Sequence, residues 1–384
     1  MELEIIQVIQ ELSTAGGAER VAWELSRAFS RVGISNGVIA STLGVAVEGK
    51  TSIERVLPWL DRIPTRGAMR HVGRAVVVPL FTLAATLASL RHPRAVVLSH
   101  GDCLKGDAMV IHAVNAENIA QKRKAGDRRW MLNPLHFWVM LRDRWIIRGL
   151  RYRTYVAVSS RVATELHQYF GVPKERIRII PNGIDTTLFR PDPIAGQVIR
   201  QEFGIPSNAK LLLFVGNEFS RKGLAHAIGA LEQLPRDVWL LVVGSDNPTP
   251  YRKLANNARD RLIFAGPRLD VPAFFAASDA LVLPTAYETF SLVCMEAMST
   301  AVPVFATRVG GIEDYLEDGI NGYGISTDPS DIANKITRAF SDNVLMNNLR
   351  NGARATAMRY GWDEIASKYV ALLQEIQISK RMAA

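Results

Sequence analysis

The stretch LVLPTAYETFSLVCMEAMSTAVPV, residues 281–304, organises the rest of the chain. It predicts a buried strand, a tight turn, a helix and a second strand, because short apolar runs flank a segment with helical periodicity. Glu288 falls in the turn and Glu296 inside the helix. Glu11 and Glu19 have the same spacing, so the interval alone identifies nothing. Glu288 is distinguished by its place after a buried strand and before a helix.

Length and composition exclude several classes of protein. At 384 residues the chain exceeds what one core usually supports, so two domains are expected. A composition of 48% hydrophobic and 22% charged residues excludes a disordered chain and a polytopic membrane protein. Cys103 and Cys294 are the only cysteines, which argues against disulfides and thiolate metal sites and favours a reducing cytoplasm.

No targeting or transmembrane segment is expected. The opening MELEIIQVIQ lacks the basic region of a signal peptide. The longest uncharged apolar run, residues 75–90, is interrupted by Thr82, Thr86 and Ser89 and is shorter than the roughly 20 residues that span a membrane. It predicts a buried helix.

Strands and helices alternate along both halves of the chain, which predicts two parallel, doubly wound α/β sheets. Strands are expected at residues 2–9, 36–43, 95–99, 108–112, 154–158 and 176–180, and then at 210–215, 238–244, 261–264, 280–283 and 302–306. The alternation of strands and helices pauses in a Pro-rich, polar stretch that follows PNGIDTTLFRPDP and ends at about Asn208. The predicted divisions are a first domain at 1–190, a linker at 191–208, a second domain at 209–361 and a final amphipathic helix at 362–384.

Such sheets bind ligands at the carboxyl ends of their strands, so two facing sheets predict a deep cleft between the domains. The segment GNEFSRKG, residues 216–223, follows the first strand of the second domain. Gly216 permits the turn, and Arg221 and Lys222 bring two cations to a helix start, where the helix dipole adds positive potential. This pattern predicts a diphosphate site. The alternative is two solvated basic residues, which the helix dipole would disfavour.

The turn containing Glu288 predicts a sugar site. The N–H groups of Thr289, Phe290 and Ser291 at the following helix start could bind sugar hydroxyls. Glu296 could accept both vicinal hydroxyls of a ribose. The alternative makes Glu288 an ordinary helix-start acid and Glu296 a surface acid. A surface position for Glu296 is disfavoured because its helix is largely apolar.

Together these segments resemble the retaining, GT-B-fold glycosyltransferases of family 4. The resemblance also rests on PNGID at residues 181–185, VGGIEDYLEDGINGYGI at 309–325 and the segment YGWDEIASKY. It extends over nearly the whole chain, and RKG with VVGSDNP is most similar to the lipopolysaccharide core glucosyltransferases. The resemblance implies two Rossmann-like domains facing across a cleft, with the C-terminal helix crossing back to the first domain.

The resemblance also implies roles for single residues. Gly16 and Gly17 match the glycine loop that closes over the donor diphosphate. Arg221 and Lys222 match diphosphate ligands, and Glu296 matches the ribose ligand.

Two further residues match catalytic positions. Glu288 matches the acid near the transferred sugar, and His112 the histidine near the anomeric centre, although a structural histidine at a strand end is the alternative. Asn217 follows Gly216 of the predicted diphosphate site, where many relatives have Arg, and Thr289 stands where Gly is usual. With Asn217 in place of Arg, Arg221 and Lys222 must neutralise more of the phosphate charge. The Thr289 side chain affects the choice of donor.

A basic, aromatic insert, residues 115–153, lies within the first domain. Residues 120–155 contain 10 basic and 2 acidic residues, with aromatic residues between the arginines. This composition predicts an interfacial membrane segment; single-stranded nucleic-acid binding and a partly buried helix with a solvated face are the alternatives. The expected membrane or acceptor contacts are Arg128, Arg129, Trp130, Trp138, Arg142, Arg144, Trp145, Arg148 and Arg151.

The sequence therefore predicts transfer of a hexose from a UDP- or GDP-sugar to a lipid-linked glycan, lipopolysaccharide or other glycolipid. The enzyme is expected to be peripheral on the inner face of the cell membrane, without a nucleic-acid partner. No cofactor is expected, and no metal either, because the usual Asp-x-Asp motif is missing beside the phosphate loop. Alternatives are a nucleotide-sugar epimerase or hydrolase of the same fold, and a non-catalytic nucleotide-sugar-binding membrane protein.

Overall fold

The computed structural model describes residues 3–14, 16–46, 51–64, 70–124, 131 and 134–382. The chain forms two compact units, Met1–Asn182 with Trp362–Ala384, and Gly183–Gly361. Each unit is built around one parallel sheet with helices, which confirms the predicted α/β fold.

The first unit contains a seven-stranded sheet in the order β5-β3-β1-β6-β7-β8-β9 and a two-stranded sheet of β2 and β4. Its strands are β1 (Glu4–Val8), β2 (Glu11–Leu12), β3 (Ser35–Ala40), β4 (Thr42–Leu43), β5 (Thr51–Arg55), β6 (Val96–Ser99), β7 (Ala108–Ile111), β8 (Thr154–Ala157) and β9 (Ile177–Ile179). Its helices before the chain leaves the unit are α1 (Gly17–Arg31), α2 (Arg70–Ser89), α3 (Asn115–Lys124), α4 (Pro134–Asp143), with a π-helix at Arg144–Arg148, and α5 (Ser160–Phe170).

The second unit contains a six-stranded sheet in the order β12-β11-β10-β13-β14-β15. Its strands are β10 (Lys210–Val215), β11 (Val238–Val243), β12 (Leu262–Gly266), β13 (Ala280–Leu283), β14 (Val304–Thr307) and β15 (Gly322–Ile325). Its helices are α6 (Pro193–Glu202), α7 (Phe219–Lys222), α8 (Leu224–Leu231), α9 (Thr249–Arg252), α10 (Val271–Ala277), α11 (Leu292–Ser299), α12 (Pro329–Phe340) and α13 (Asn343–Met358).

In each sheet the strand order reverses at one point, between β1 and β6 in the first and between β10 and β13 in the second. Open α/β sheets bind ligands beside the carboxyl ends of the strands at such a switch point. The segments that follow β1, β10 and β13 carry the residues predicted to bind the donor.

The C-terminal helix α14 (Trp362–Met382) returns to the first unit, as the resemblance implied. Lys380 Nζ near its end donates to the carbonyl of Ala95 at 2.9 Å and to Asp107 Oδ2 at 3.0 Å. Arg31 of α1 bonds Asp363 at 2.8 Å near the other end of the helix. These contacts attach both ends of α14 to the first unit.

The segment expected to be a linker, residues 191–208, differs from that expectation. It lies inside the second unit and contains helix α6, which packs on α10. Asp192 accepts a hydrogen bond from the N–H of Ala195, and Pro193 occupies the first helical turn. Proline at a helix start is favourable, so the Pro-rich composition here indicates a helix N-terminus rather than a flexible connection.

Helix α2 is buried on one face only, although a buried helix was expected. Val77, Phe81 and Ala85 pack into a core cluster of the first unit. Within the described residues, the segment Val72–Ser89 of α2 is the one that is long and apolar enough to cross a membrane, and 44% of it is buried.

Candidate functional site

The loop that follows β10 carries the two cations predicted to bind phosphate, but they close a short helix instead of opening one. Arg221 and Lys222 are the last two residues of the four-residue helix α7, because Gly223, at φ +80°, interrupts the helix before α8. A Cβ at Gly223 would overlap the carbonyl oxygen of Pro284. The first N–H of α7, that of Phe219, donates to Asp246 Oδ2 at 3.0 Å. The positive character of this loop therefore comes from its side chains.

The structure brings these cations to Glu288, which follows β13. Lys222 Nζ donates to Glu288 Oε1, and both side chains are buried. Arg221 Nη1 lies 3.6 Å from the same oxygen and donates to the carbonyl of Tyr287 at 2.6 Å. Thr285 Oγ1 lies 3.3 Å from that oxygen. We name Arg221, Lys222 and Glu288 the ion-pair cluster.

Together with Glu218, the ion-pair cluster is close to electrically balanced. Arg221 Nε also donates to Glu218 Oε2 at 2.5 Å, and the Glu218 side chain is mostly exposed. Two cations therefore face two carboxylates. An incoming anion could displace the exposed Glu218 at little cost, because solvent-exposed ion pairs contribute only about 0–1 kcal/mol.

The turn after β14 closes against the Glu288 backbone. Gly310 has φ +60°, and a Cβ there would overlap the carbonyl oxygen of Glu288. The N–H of Gly311 donates to the carbonyl of Thr289 at 3.1 Å. Glycine at position 310 is thus required for the close approach that holds residues 288 and 289 in place.

The residues expected to offer N–H groups, Thr289, Phe290 and Ser291, precede helix α11. Ser291 adopts φ +68° and gives α11 no side-chain cap; its hydroxyl donates to Cys294 Sγ at 3.3 Å. Because α11 begins at Leu292, the uncapped amides of its first turn follow Ser291, and the N–H groups of the three predicted residues precede the helix. Glu296, the predicted ribose ligand, is buried on α11.

Asn217 connects two loops at this edge of the sheet. Its Oδ1 accepts hydrogen bonds from the N–H and the hydroxyl of Ser245, at 3.1 and 3.2 Å. Because Ser245 follows β11, Asn217 joins the turns after two neighbouring strands. It is placed to order the loop that follows β10.

Gly16 and Gly17, the predicted glycine loop, lie at the start of α1 in the first unit. A Cβ at Gly16 would overlap the Glu19 carboxylate, whereas a Cβ at Gly17 would meet no atom within 4 Å. Burial, chiefly, raises the pKa of Glu19. Asp102, which was not singled out from the sequence, accepts from the N–H of Gln10 at 2.9 Å, and burial raises its pKa too.

His112 lies just after β7 and has a partner that was missed. Its Nε2 lies 2.9 Å from Nδ1 of His100, which follows β6, and His100 Nε2 lies 2.9 Å from Gln7 Oε1. Burial lowers the pKa of His112 to about 4 and that of His100 well below its usual value, with His112 adding to the second shift. A histidine at each of two successive strand ends was the available signal.

The basic, aromatic insert is only partly exposed. Arg128, Arg129 and Trp130 lie outside the described residues. Trp138 points inward, with a buried Nε1 that has no hydrogen-bond partner, and the Arg142 side chain is 10% exposed and bonds Asp143 at 2.9 Å. Both were expected to face a membrane.

The remaining insert residues do face solvent. Arg144, Trp145, Arg148 and Arg151 are exposed, and the Arg151 guanidinium lies 4.4 Å from the ring centroid of Trp145. Helices α2 and α4 pack together, and both expose large apolar side chains. We name as the apolar face these side chains together with Leu90, just after α2, and Trp145, just after α4. Its members are Val72, Val76, Leu80, Leu83, Leu87, Leu90, Phe137, Met140, Leu141 and Trp145.

A cavity of about 670 Å³ lies elsewhere in the first unit, lined by residues such as Lys105, Arg151 and Lys380. It is at the amino-terminal edge of the sheet, opposite His112, so we do not take it as the active site. Among the described residues, no group of three or more His, Cys, Asp or Glu side chains could hold a metal ion.

Comparisons with known proteins agree with this geometry. The chain matches the family model of glycosyl transferases group 1 over residues 197–356 and that of Glycosyltransferase Family 4 over residues 15–188. D-inositol 3-phosphate glycosyltransferase of Xylanimonas cellulosilytica is 34% identical over 55% of this chain and 54% of its own length. Lipopolysaccharide glucosyltransferase WaaG of Escherichia coli (strain K12) is 30% identical over 55% of this chain and 56% of its own length. The chain thus spans about half the length of these curated relatives.

A solved structure of HepE from Anabaena in complex with UDP-glucose covers 97% of this chain and 100% of its own chain, with a TM-score of 0.71. At 19% sequence identity this likeness concerns the fold. Together, the two family models, the two parallel sheets and the solved structure show that the chain belongs to the glycosyltransferases of family 4 and has the GT-B fold.

Proposed function

We propose that this protein is a retaining glycosyltransferase that moves a hexose from a UDP- or GDP-sugar to a hydroxyl of a lipid-linked glycan or glycolipid. The ion-pair cluster, Arg221, Lys222 and Glu288, carries the donor half of the proposal, because it lies beside the switch point of its sheet. Arginine and lysine are the usual ligands of phosphate groups. The UDP-glucose bound to HepE supports a nucleotide-sugar donor.

In the proposed reaction the bond between the anomeric carbon and the diphosphate oxygen breaks, and a bond to the acceptor oxygen forms on the same face of the sugar. The acceptor proton passes to the leaving diphosphate. Lys222 and Arg221 stabilise the negative charge that develops there, and such preorganised electrostatic contacts supply a large part of the rate enhancement in many enzymes. Glu288 holds Lys222 Nζ in position and lies near the transferred sugar.

The other donor contacts are proposed on the same basis. The N–H groups around Thr289, Phe290 and Ser291 bind sugar or phosphate oxygens at the uncapped start of α11. Glu296 binds the ribose, and Asn217 orders the loop that follows β10. Within the first unit, Gly16 and Gly17 form a phosphate-binding glycine loop. In the first unit, His112 contacts the substrate as a catalytic residue. We propose that no metal ion or cofactor is required, so activity should survive chelation with EDTA.

Transfer is tested by incubating the protein with radiolabelled UDP- and GDP-sugars and a membrane lipid extract. Label in the lipid phase supports the proposal. Epimerised or free sugar would indicate an epimerase or hydrolase, and unchanged bound donor a non-catalytic binding protein. If inositol phosphate is added and becomes labelled, the acceptor is an inositol phosphate, as named for the Xylanimonas relative, and not a lipid. A thermal-shift screen identifies the donor, since a ligand at 100 times its Kd stabilises by about 2.7 kcal/mol.

We further propose that the protein docks peripherally on the anionic inner face of the cell membrane through the apolar face and its arginines. Trp145 belongs to both the insert and the apolar face, and Arg144, Arg148 and Arg151 are exposed beside it. Interfacial proteins combine such apolar area with basic residues, each contributing about 1 kcal/mol near an anionic leaflet. The lipopolysaccharide glucosyltransferase relative supports a glycolipid acceptor.

Flotation with anionic and neutral liposomes tests the docking proposal. The triple variant Arg144→Gln, Arg148→Gln, Arg151→Gln should bind anionic liposomes about a hundredfold more weakly, from about 1 kcal/mol per charge. The control variant, Arg236→Gln, Arg259→Gln, Arg338→Gln, removes the same charge from exposed positions of the second unit. Equal binding of both variants would refute docking through this surface.

A further inference from the structure

A chain of hydrogen bonds in the first unit leads from a backbone carbonyl in α1 to His112. It begins at Ser26, whose hydroxyl donates to the carbonyl oxygen of Ala22 at 3.1 Å. A carbonyl can only accept, so the hydroxyl proton of Ser26 is committed and its oxygen must accept elsewhere. The amide nitrogen of Gln7 fills that role at 2.8 Å. Gln7 therefore presents its carbonyl oxygen, Oε1, to His100.

The order of hydrogen-bond donors and acceptors continues through the two histidines. His100 Nε2 must carry a proton in order to donate to Gln7 Oε1 at 2.9 Å. Because buried His100 stays neutral, its Nδ1 is unprotonated and accepts a hydrogen bond from His112 Nε2, also at 2.9 Å. The two rings are tilted by only 14°, with centroids 5.3 Å apart, which suits rings that meet edge to edge through an in-plane hydrogen bond.

This order leaves one nitrogen of His112 for other chemistry. With the proton on Nε2, Nδ1 of neutral His112 carries a lone pair. Among the residues that the structure describes, none bonds this Nδ1, and the His112 side chain is only half-buried. The position of His112, after a strand beside the switch point, is where a substrate would approach.

We propose that His100 is a positioning residue which, with Gln7 and Ser26, holds His112 in the Nε2–H tautomer and presents its Nδ1 as a hydrogen-bond acceptor to a substrate hydroxyl. The substrate contact rests on the function proposed above. The tautomer does not, and it can be measured on the free protein.

Nitrogen-15 NMR of protein labelled at histidine tests the tautomer. We expect His112 to show a protonated Nε2 and an unprotonated Nδ1. His167 is the internal control with the reverse pattern, because its Nδ1 lies 3.0 Å from the carbonyl of Val172 and must donate to it. His100→Phe, which removes the acceptor, should give His112 mixed tautomers and leave His167 unchanged. A protonated Nδ1 on His112 of the native protein would overturn the proposal, whatever the variant does.

A double-mutant cycle on transfer kinetics tests the consequence for catalysis. His100→Phe should lower kcat/KM about tenfold, the value of one hydrogen bond of about 1.4 kcal/mol, in the native background. In a His112→Phe background it should have almost no further effect, because His100 acts through His112. Additive losses would refute a positioning role. If no variant, including the native protein, transfers sugar, the proposed function fails and the NMR result still decides the tautomer.

Discussion

The two units place different chemistry at the switch points of their sheets. The second unit has the ion-pair cluster, in which Lys222 and Arg221 meet Glu288. The first unit has a neutral chain, in which Gln7, His100 and His112 are joined by hydrogen bonds with a fixed direction. Charged groups respond to an anion such as a diphosphate, whereas a neutral, ordered chain distinguishes donors from acceptors. The same architecture can thus serve charge stabilisation in one unit and hydroxyl recognition in the other.

The largest expected effect comes from removing a charge from the second unit. Lys222→Ala should lower kcat/KM by about 10²–10³-fold, because one preorganised contact to developing negative charge is lost. Lys253→Ala, at an exposed position of the same unit, is the control. Steady-state transfer kinetics with the identified donor measure both. A Lys222→Ala enzyme within threefold of native would show that the ion-pair cluster does not bind the leaving group.

A second comparison concerns glycine in the two units. Gly310→Ala should lower the free energy of unfolding by about 3 kcal/mol or more, because positive φ and overlap with the Glu288 carbonyl add together. Gly171→Ala in the first unit has φ +68° but open space around its Cβ, so the expected loss is about 1 kcal/mol. Urea denaturation measures both. Equal losses would mean that the turn at Gly310 relaxes and does not hold Glu288 in place.

Acid should weaken the first unit through its histidines. The pKa of His112 is about 4 in the folded protein and near 6.5 when unfolded, so the unfolded chain binds more protons between these values. Stability contributed by neutral His112 is complete above pH 6.5 and falls as the pH drops toward 4, by at most about 1.4 kcal/mol per pH unit. His100 acts in the same direction, whereas Glu19 and Asp102, with raised pKa values, act in the opposite one.

The contribution of His112 is therefore measured as a difference between the native protein and a variant that lacks this histidine. Unfolding free energies of native protein and His112→Phe, compared from pH 7 to 4, cancel the contribution of the acids. The native protein should lose more stability than the variant. Parallel curves would show that His112 is not held neutral in the folded state.

The smallest expected effect is a gain in affinity for the donor. Glu218→Gln frees Arg221 from its exposed ion pair, so donor Kd should fall by up to about fivefold, the equivalent of about 1 kcal/mol. Glu202→Gln is the matched control, because Glu202 also pairs with an arginine, Arg268, at 2.7 Å in the same unit. Calorimetric titration with donor distinguishes them. Weaker binding in Glu218→Gln would mean that Glu218 itself contacts the sugar.

Much of the fold could be predicted because buried strands leave a local signal. Residues 210–215 and 280–283 are largely apolar runs of the length of a strand. Because the strands are parallel, the residues that follow them lie at the same edge of the sheet. That reasoning placed Lys222 and Glu288 after strands of the same sheet, but it did not predict the hydrogen bond between them. Strands β2, β5 and β15 were missed, since β2 has only two residues, β5 is largely exposed and β15 is glycine-rich.

Other features depend on contacts that composition does not report. His100 gained significance only when β6 and β7 paired and brought it beside His112. The inward positions of Trp138 and Arg142 could not be read from an insert rich in both residue types. A π-helix, Arg144–Arg148, follows directly, and its i→i+5 turn departs from the α-helical spacing by which faces are assigned from sequence.

The route of the chain also dictates an order of assembly. Residues 183–361 form the second unit, and a parallel bridge between Ile184 and Gly361 brings their two ends together. The first unit needs α14, whose Lys380 reaches back to Ala95 and Asp107. On a ribosome, the unit that begins second is therefore the first to be complete. The contacts that Arg31, Ala95 and Asp107 of the first unit make with α14 must wait until that helix emerges.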